Sequence, residues 1–103
     1  MYRPLITFAF LVLTSSIFSQ NFGSLKGKVF NSETGFPLEG ATIIVEDSDF
    51  FAISDQNGFF QILDLPTTSY NITTSFIGFK SQTKFNVIVK SVGNQSLDFT
   101  LSP

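Results

Sequence analysis

The sequence has no cysteine, no histidine and no tryptophan in its 103 residues. Without cysteine there is neither a disulfide nor a thiolate nucleophile, and without histidine there is no imidazole base. The usual ligands of a structural zinc are missing with them. Charge is scarce as well: 6 basic and 8 acidic side chains give a net charge of −2. A phosphate backbone has nothing to bind here, so nucleic acid is not an expected partner. Phenylalanine is abundant by contrast, with 14 residues against 2 tyrosines. Aromatic side chains with few charges suit half-buried strands, and the length suits one domain, so a β-rich core is expected.

The first twenty residues read as an export leader. Arg3 supplies a positive start, Leu5 to Leu13 an apolar stretch, and Thr14 to Ser19 a small-residue approach to cleavage. Cleavage is expected after Ser19, with Ser16 as the second choice, giving a signal peptide over 1–19 and a domain over 24–103. The apolar run weakens at Thr14, short of the roughly 20 residues a bilayer span needs, so no transmembrane span is expected in the mature chain. Loss of the leader with Arg3 leaves 84 residues carrying 5 basic and 8 acidic groups, a net charge of −3. Export without cysteine is ordinary in bacteria. The expected location is the periplasm, the outer membrane or the medium of a Gram-negative organism.

Beyond the leader, short apolar runs alternate with turn residues. Leu25–Phe30, Ala41–Val45, Phe51–Ser54, Phe59–Leu63, Tyr70–Ile77, Thr83–Val89 and Leu97–Leu101 are seven candidate strands. Asn31 to Gly35, Pro37 to Gly40 and Asp55 to Gly58 separate them with turn chemistry. Asn57-Gly58 between apolar runs predicts a two-residue hairpin with positive φ at both positions. No apolar repeat at 3.6 residues exists outside the leader. These features predict an all-β sandwich or small barrel. Alternation places Val29, Ile43, Val45, Phe60, Ile62, Tyr70 and Ile72 towards one core.

Four segments carry a family resemblance. Gly27-Lys28-Val29 with Thr34-Gly35-Phe36-Pro37-Leu38-Glu39-Gly40-Ala41-Thr42-Ile43 is similar to the opening of the carboxypeptidase regulatory-like domain family. Ser54-Asp55-Gln56-Asn57-Gly58-Phe59-Phe60 resembles its second motif, with Ser54 where threonine is commoner. Leu65-Pro66 with Tyr70-Asn71-Ile72, and then Ser75 to Phe79, resemble the segments that follow. The resemblance spans about Leu25 to Leu101 and implies a seven-stranded β-sandwich, a transthyretin/prealbumin-like Greek key. It also implies a non-catalytic role, since the module accompanies a zinc peptidase domain in exopeptidases. In Gram-negative bacteria it resembles the domain that precedes the TonB box, plug and barrel of TonB-dependent outer-membrane receptors. The sequence reaches Pro103 with the domain alone, so transport is not carried over.

Several residues invite sharper readings. Asp55, Asn57, Gly58 and Asp64 fall at calcium-loop spacing, but Ile53 occupies the first ligand position, so a turn is expected and no metal. Glu46, Asp47 and Asp49 form an acidic cluster expected to be a solvated turn. Lys26 and Lys28, with Asn94 or Asp98, suggest an isopeptide crosslink; the alternation that turns Val29 inward turns both lysines outward and disfavours it. Asn71-Ile72-Thr73 and Asn94-Gln95-Ser96 match glycosylation sequons and read as strand polar residues. Phe36, Phe50, Phe51, Phe76 and Phe79 exceed what one small core holds, so some are expected to be exposed, either as a patch that stacks on sugar or protein or as cover for the ends of the sandwich.

No catalytic, cofactor-binding or metal-binding residue is assigned, and no cofactor or enzymatic activity is expected. The expected function is a non-catalytic exported interaction module that contacts an envelope or periplasmic protein. It would be a free-standing relative of the receptor N-terminal domain or a receptor fragment. The alternative is a free-standing carbohydrate-binding module, weakened by the lack of tryptophan.

Overall fold

The computed structural model describes residues 21–92 and 96–103. The leader reading (residues 1–19) and the Asn94 readings therefore fall wholly or partly outside the described residues. Seven strands follow in order: β1 (Phe22–Asn31), β2 (Thr42–Val45), β3 (Phe51–Ile53), β4 (Phe59–Pro66), β5 (Ser69–Ser75), β6 (Gln82–Ile88) and β7 (Phe99–Leu101). They form a three-stranded sheet in the order β4-β1-β7 and a four-stranded sheet in the order β3-β2-β5-β6. Neighbouring strands are antiparallel except β1 and β7, which run parallel. The all-β sandwich expected from the punctuated apolar runs is the fold observed, and no helix occurs among the described residues.

Period-two alternation builds the core. Leu25 and Val29 point inward from β1, Ile43 and Val45 from β2, Phe60 and Ile62 from β4, Ile72 from β5, and Phe99 and Leu101 from β7. Phe60 and Phe99 meet with ring centroids 6.2 Å apart and planes tilted by 48°, an arrangement favoured by the ring quadrupoles. All six aliphatic and phenylalanine positions assigned to the core are buried, and Tyr70 packs against it while its hydroxyl donates to the Pro66 carbonyl at 2.7 Å.

Two irregularities depart from simple alternation. In β4 the inward positions run Phe60, Ile62 and then Leu65, because the register against β1 gains a residue between Gly23 and Leu25. Asp64 sits there at φ 60°. In β6 the same event occurs opposite Tyr70 and Ile72, where Asn86 has φ 56° and its N–H donates to Asn71 Oδ1 at 3.1 Å. Both are β-bulges, and Asp and Asn reach the left-handed region more readily than other side chains.

The Asp55–Gly58 turn corrects one expectation. β3 and β4 do not pair as a hairpin; they belong to different sheets, and the turn carries the chain across the sandwich. Gly58 has φ 77°, but Asn57 is not among the residues with positive φ. Gly58 N–H donates to Asp55 O at 2.8 Å, and Asp55 N–H to Phe59 O at 2.9 Å. This is a type I turn closed by a left-handed glycine, which needs positive φ at one position only. Asp55 caps the turn with an Asx bond: its Oδ1 accepts from Asn57 N–H at 2.8 Å and Phe59 N–H at 3.0 Å.

Strand limits shift too. β1 begins at Phe22, because Phe22 and Gly23 pair with Pro66 and Leu65. β5 ends at Ser75, ahead of a turn in which Gly78 has φ 86°. β7 begins at Phe99, although Leu97 N–H already donates to Lys26 O at 2.7 Å.

Candidate interaction surface

The four-stranded sheet has one face in the core and one in solvent. On the solvent face Ile44 of β2 lies beside Phe51 of β3 and Thr73 of β5, and Thr42 lies between Ile53 and Ser75. Thr73 is in turn opposite Thr83 of β6. Phe51 and Ile53 are 61% and 60% exposed, and Ile44 is exposed beside them. On the β6 side Phe85 and Ile88 are exposed as well. Between these apolar borders runs a polar seam: the Thr73 hydroxyl donates to Glu46 Oε2 and lies 2.8 Å from the Thr83 hydroxyl. A two-tone face of this kind, apolar at the margins and polar along a fixed seam, is suited to a contact with another molecule.

β3 is the edge strand beside that apolar corner. Val45 N–H donates to Phe50 O at 3.0 Å and Ser54 N–H to Ala41 O at 2.9 Å. Antiparallel alternation then directs the main-chain groups of Phe51 and Ile53 away from β2, towards solvent. Three residues make a short edge, which limits unwanted pairing.

The phenylalanine expectation divides cleanly. Phe36 and Phe51 are exposed, whereas Phe50, Phe76 and Phe79 pack against the core. Phe76 and Phe79 meet with centroids 5.5 Å apart and planes tilted by 58°.

The acidic cluster forms the β2–β3 turn. Asp47 takes φ 61°, Ser48 Oγ donates to Val45 O at 2.7 Å, and Phe50 N–H donates to Ser48 Oγ at 3.0 Å. Asp47 and Asp49 are exposed, as a solvated turn requires. At the calcium-loop positions, Asp55 Oδ1 accepts from two backbone N–H groups and Asp64 is at the β4 bulge. No cluster of three or more metal-ligating side chains occurs among the described residues. Asp98 meets Lys28 through the backbone N–H, at 3.0 Å, and Lys28 itself is exposed. That contact is not the buried amine–carbonyl encounter an isopeptide bond needs. Asn71 is half-buried, with its amide oxygen engaged by Asn86.

Two residues with structural consequence escaped the sequence reading. Ser54 is buried; its hydroxyl accepts from Ala41 N–H at 2.9 Å and donates to Leu38 O at 2.6 Å, so it ties the Pro37–Gly40 turn to the sheet. Its place in the second motif was visible, but its partner across 16 residues was not. Gly27 is needed for close approach: a Cβ there would overlap the Leu97 carbonyl. The glycine lets Leu97 come within hydrogen-bonding distance of β1.

Side chains of β6 reach across one side of the sandwich. Lys84 donates to Asp98 O at 2.5 Å and holds its ammonium 5.3 Å from the Phe99 ring centroid. Gln82 Oε1 accepts from Thr100 N–H at 3.1 Å. These bonds bridge β6 to β7 across the gap between the sheets.

With that geometry in place, comparison with known proteins identifies the module. The family model for the CarboxypepD_reg-like domain matches residues 25–103. The chain belongs to this family. Carboxypeptidase D of Anas platyrhynchos is 35% identical to it over 79 residues, and carboxypeptidase D of Homo sapiens 38% identical over 79 residues. Each alignment covers 77% of this chain but only 6% of the relative, so the CarboxypepD_reg-like domain is a small part of those proteins. Among solved structures, chains of two type II cohesin–X-dockerin complexes from Acetivibrio cellulolyticus, an N-terminal and a C-terminal interface mutant, superpose with TM-scores of 0.66. Identity is 18%, covering 77% of this chain and 56% of the other. At that identity the likeness establishes the sandwich fold alone.

Proposed function

We propose that this CarboxypepD_reg-like domain is a non-catalytic exported module that binds another protein of the bacterial envelope. The observation that carries the proposal is the solvent face of the four-stranded sheet, where Phe51, Ile53 and Ile44 are exposed together beside an edge strand. The similarity to a small part of carboxypeptidase D supports an accessory role rather than a hydrolytic one. The structural neighbours belong to complexes in which one protein domain holds another, and a contact role is consistent with that setting. The leader-like residues 1–19 support export to the periplasm, the outer membrane or the medium. The motif order supports kinship with the N-terminal domain of TonB-dependent receptors, either free-standing or as the front of one.

The test has three parts. Fractionation of an expressing Gram-negative cell should place the chain in the envelope or medium, with a mass shortened by the leader; a cytoplasmic, full-length chain would contradict export. The purified chain should release no residues from peptides with or without added zinc, and metal-dependent hydrolysis would overturn the non-catalytic reading. DNA immediately downstream that encodes a plug and barrel would support the receptor fragment, and an unrelated neighbouring gene would support the free-standing form.

A further inference from the structure

The opposite sheet carries a different surface. The outward positions of β1 are Lys26, Lys28 and Phe30, on the central strand of β4-β1-β7. Lys28 is opposite Phe59 and Lys26 opposite Gln61 on β4, and on the other side Lys26 bridges to Ser96. A groove of about 410 Å³ runs over these positions, lined by Lys26, Lys28, Phe30, Phe59, Ser96 and Asp98. Two of the chain's 6 basic side chains thus lie two residues apart on one face, in a chain whose net charge is −2.

Three features select the ligand. Two lysines and one carboxylate, Asp98, line the groove, and Asp98 Oδ1 is already engaged by Lys28 N–H at 3.0 Å and the Ser96 hydroxyl at 3.3 Å. The groove therefore attracts negative charge, yet keeps a fixed acceptor inside it. Asp98 accepts from a hydroxyl, which an acidic peptide side chain does not offer, so the fitting ligand carries donor hydroxyls beside its carboxylates. Next, Phe30 and Phe59 are half-buried and give the groove apolar walls, against which the C–H face of a sugar ring packs. Finally, β1 is hydrogen-bonded on both sides, to β4 and to the Ser96–Leu101 segment. A peptide laid over it would find side chains and no free main-chain ladder, which disfavours an acidic peptide strand.

We propose that this groove binds an acidic saccharide. A uronate carboxylate would be held by the Lys26 and Lys28 ammonium groups, its ring would lie against Phe30 and Phe59, and a ring hydroxyl would donate to Asp98. The inference shares the binding-module reading of the domain but uses the other sheet, so it stands or falls separately from the protein contact through Phe51.

Isothermal titration of the purified full chain tests it, with an oligogalacturonate as probe, a neutral oligosaccharide of equal length and polyglutamate as comparators. The expected result is saturable binding of the oligogalacturonate that weakens as salt rises, with little binding of either comparator. The double substitution Lys26→Gln/Lys28→Gln should weaken it at least about tenfold, the loss expected when charged hydrogen bonds are removed. Lys28 is exposed and Lys26 half-buried on the outer face, so that variant should keep its melting temperature. Asp98→Asn should lower affinity for oligogalacturonate while raising polyglutamate binding. Absence of binding, equal binding of the neutral sugar or polyglutamate, or full affinity in the folded lysine variant would each overturn the proposal. A chain that fails here yet still crosslinks to protein through Phe51 would lose the saccharide site and keep the module reading.

Discussion

Replacing Gly58 with alanine separates two effects that the turn combines. At φ 77° any L side chain crowds its own carbonyl, at a cost of about 1–2 kcal/mol. The added Cβ also lies 2.6 Å from Val29 O and 2.9 Å from Pro37 Cβ. Val29 O is the acceptor for Leu38 N–H, and Val29 N–H donates back to Gly58 O, both at 2.9 Å. Relief of the clash must therefore stretch one or both bonds, adding about 1–3 kcal/mol for a buried group left poorly paired. The total is about 2–5 kcal/mol, against the roughly 5 kcal/mol at the lower end of typical stabilities. Gly35 provides the comparison, with φ 76° and nothing among the described residues within 4 Å of an added Cβ. Gly35→Ala should lose only the conformational part, about 1–2 kcal/mol. In urea, at about 1 kcal/mol per molar for a small domain, the Gly58→Ala midpoint should fall below that of Gly35→Ala by about 1–3 M, with the slope unchanged. Equal midpoints for the two variants would refute the contact argument and leave φ alone as the reason for glycine.

The remaining predictions concern the core. Thr74 is fully buried and its hydroxyl has no hydrogen-bond partner among the described residues, so Thr74→Val should raise the unfolding free energy by about 1 kcal/mol, and a loss would reveal a hidden partner. Ser54→Ala removes the bonds to Ala41 N–H and Leu38 O and should cost about 1–3 kcal/mol in the same urea titration; an unchanged midpoint would show the turn holds itself. Burial raises the Tyr70 phenol above its ordinary pKa, favouring the neutral form in the fold. Its contribution is complete below the unfolded pKa of about 10 and is lost as pH rises through the folded value. Phenolate absorbance should therefore show this tyrosine ionising above its unfolded value, and coincident titration of folded and unfolded chain would contradict the burial effect.

The strands were legible because their signal is local. Ile43 and Val45, like Phe60 and Ile62, recur two residues apart, and each turns inward as that spacing requires. The bulges were not legible. Asp64 and Asn86 look like ordinary polar strand residues, and only the partner strand reveals the extra residue. Asn57-Gly58 misled for a related reason: the dipeptide encodes a turn, but which strands flank it in one sheet is decided by long-range pairing. The acidic cluster likewise announced a turn without showing that Asp47 supplies its left-handed position. For the candidate surface, the sequence indicated surplus phenylalanine yet could not sort Phe51, exposed at the start of β3, from Phe50, which packs against the core just before it. The groove was half visible: Lys26 and Lys28 were expected to face outward, and Phe59 of β4 with Ser96 and Asp98 ahead of β7 came beside them only through long-range pairing.

The claim that the domain acts by contact through its four-stranded sheet is tested most directly by photocrosslinking in a Gram-negative envelope. A photoreactive phenylalanine analogue would replace Phe51 in one variant of the full chain and Glu33, in the exposed β1–β2 turn, in another. The binding-module reading predicts a discrete protein adduct from position 51 and none from position 33. Absence of any adduct from position 51, or the same adducts from both positions, would contradict it.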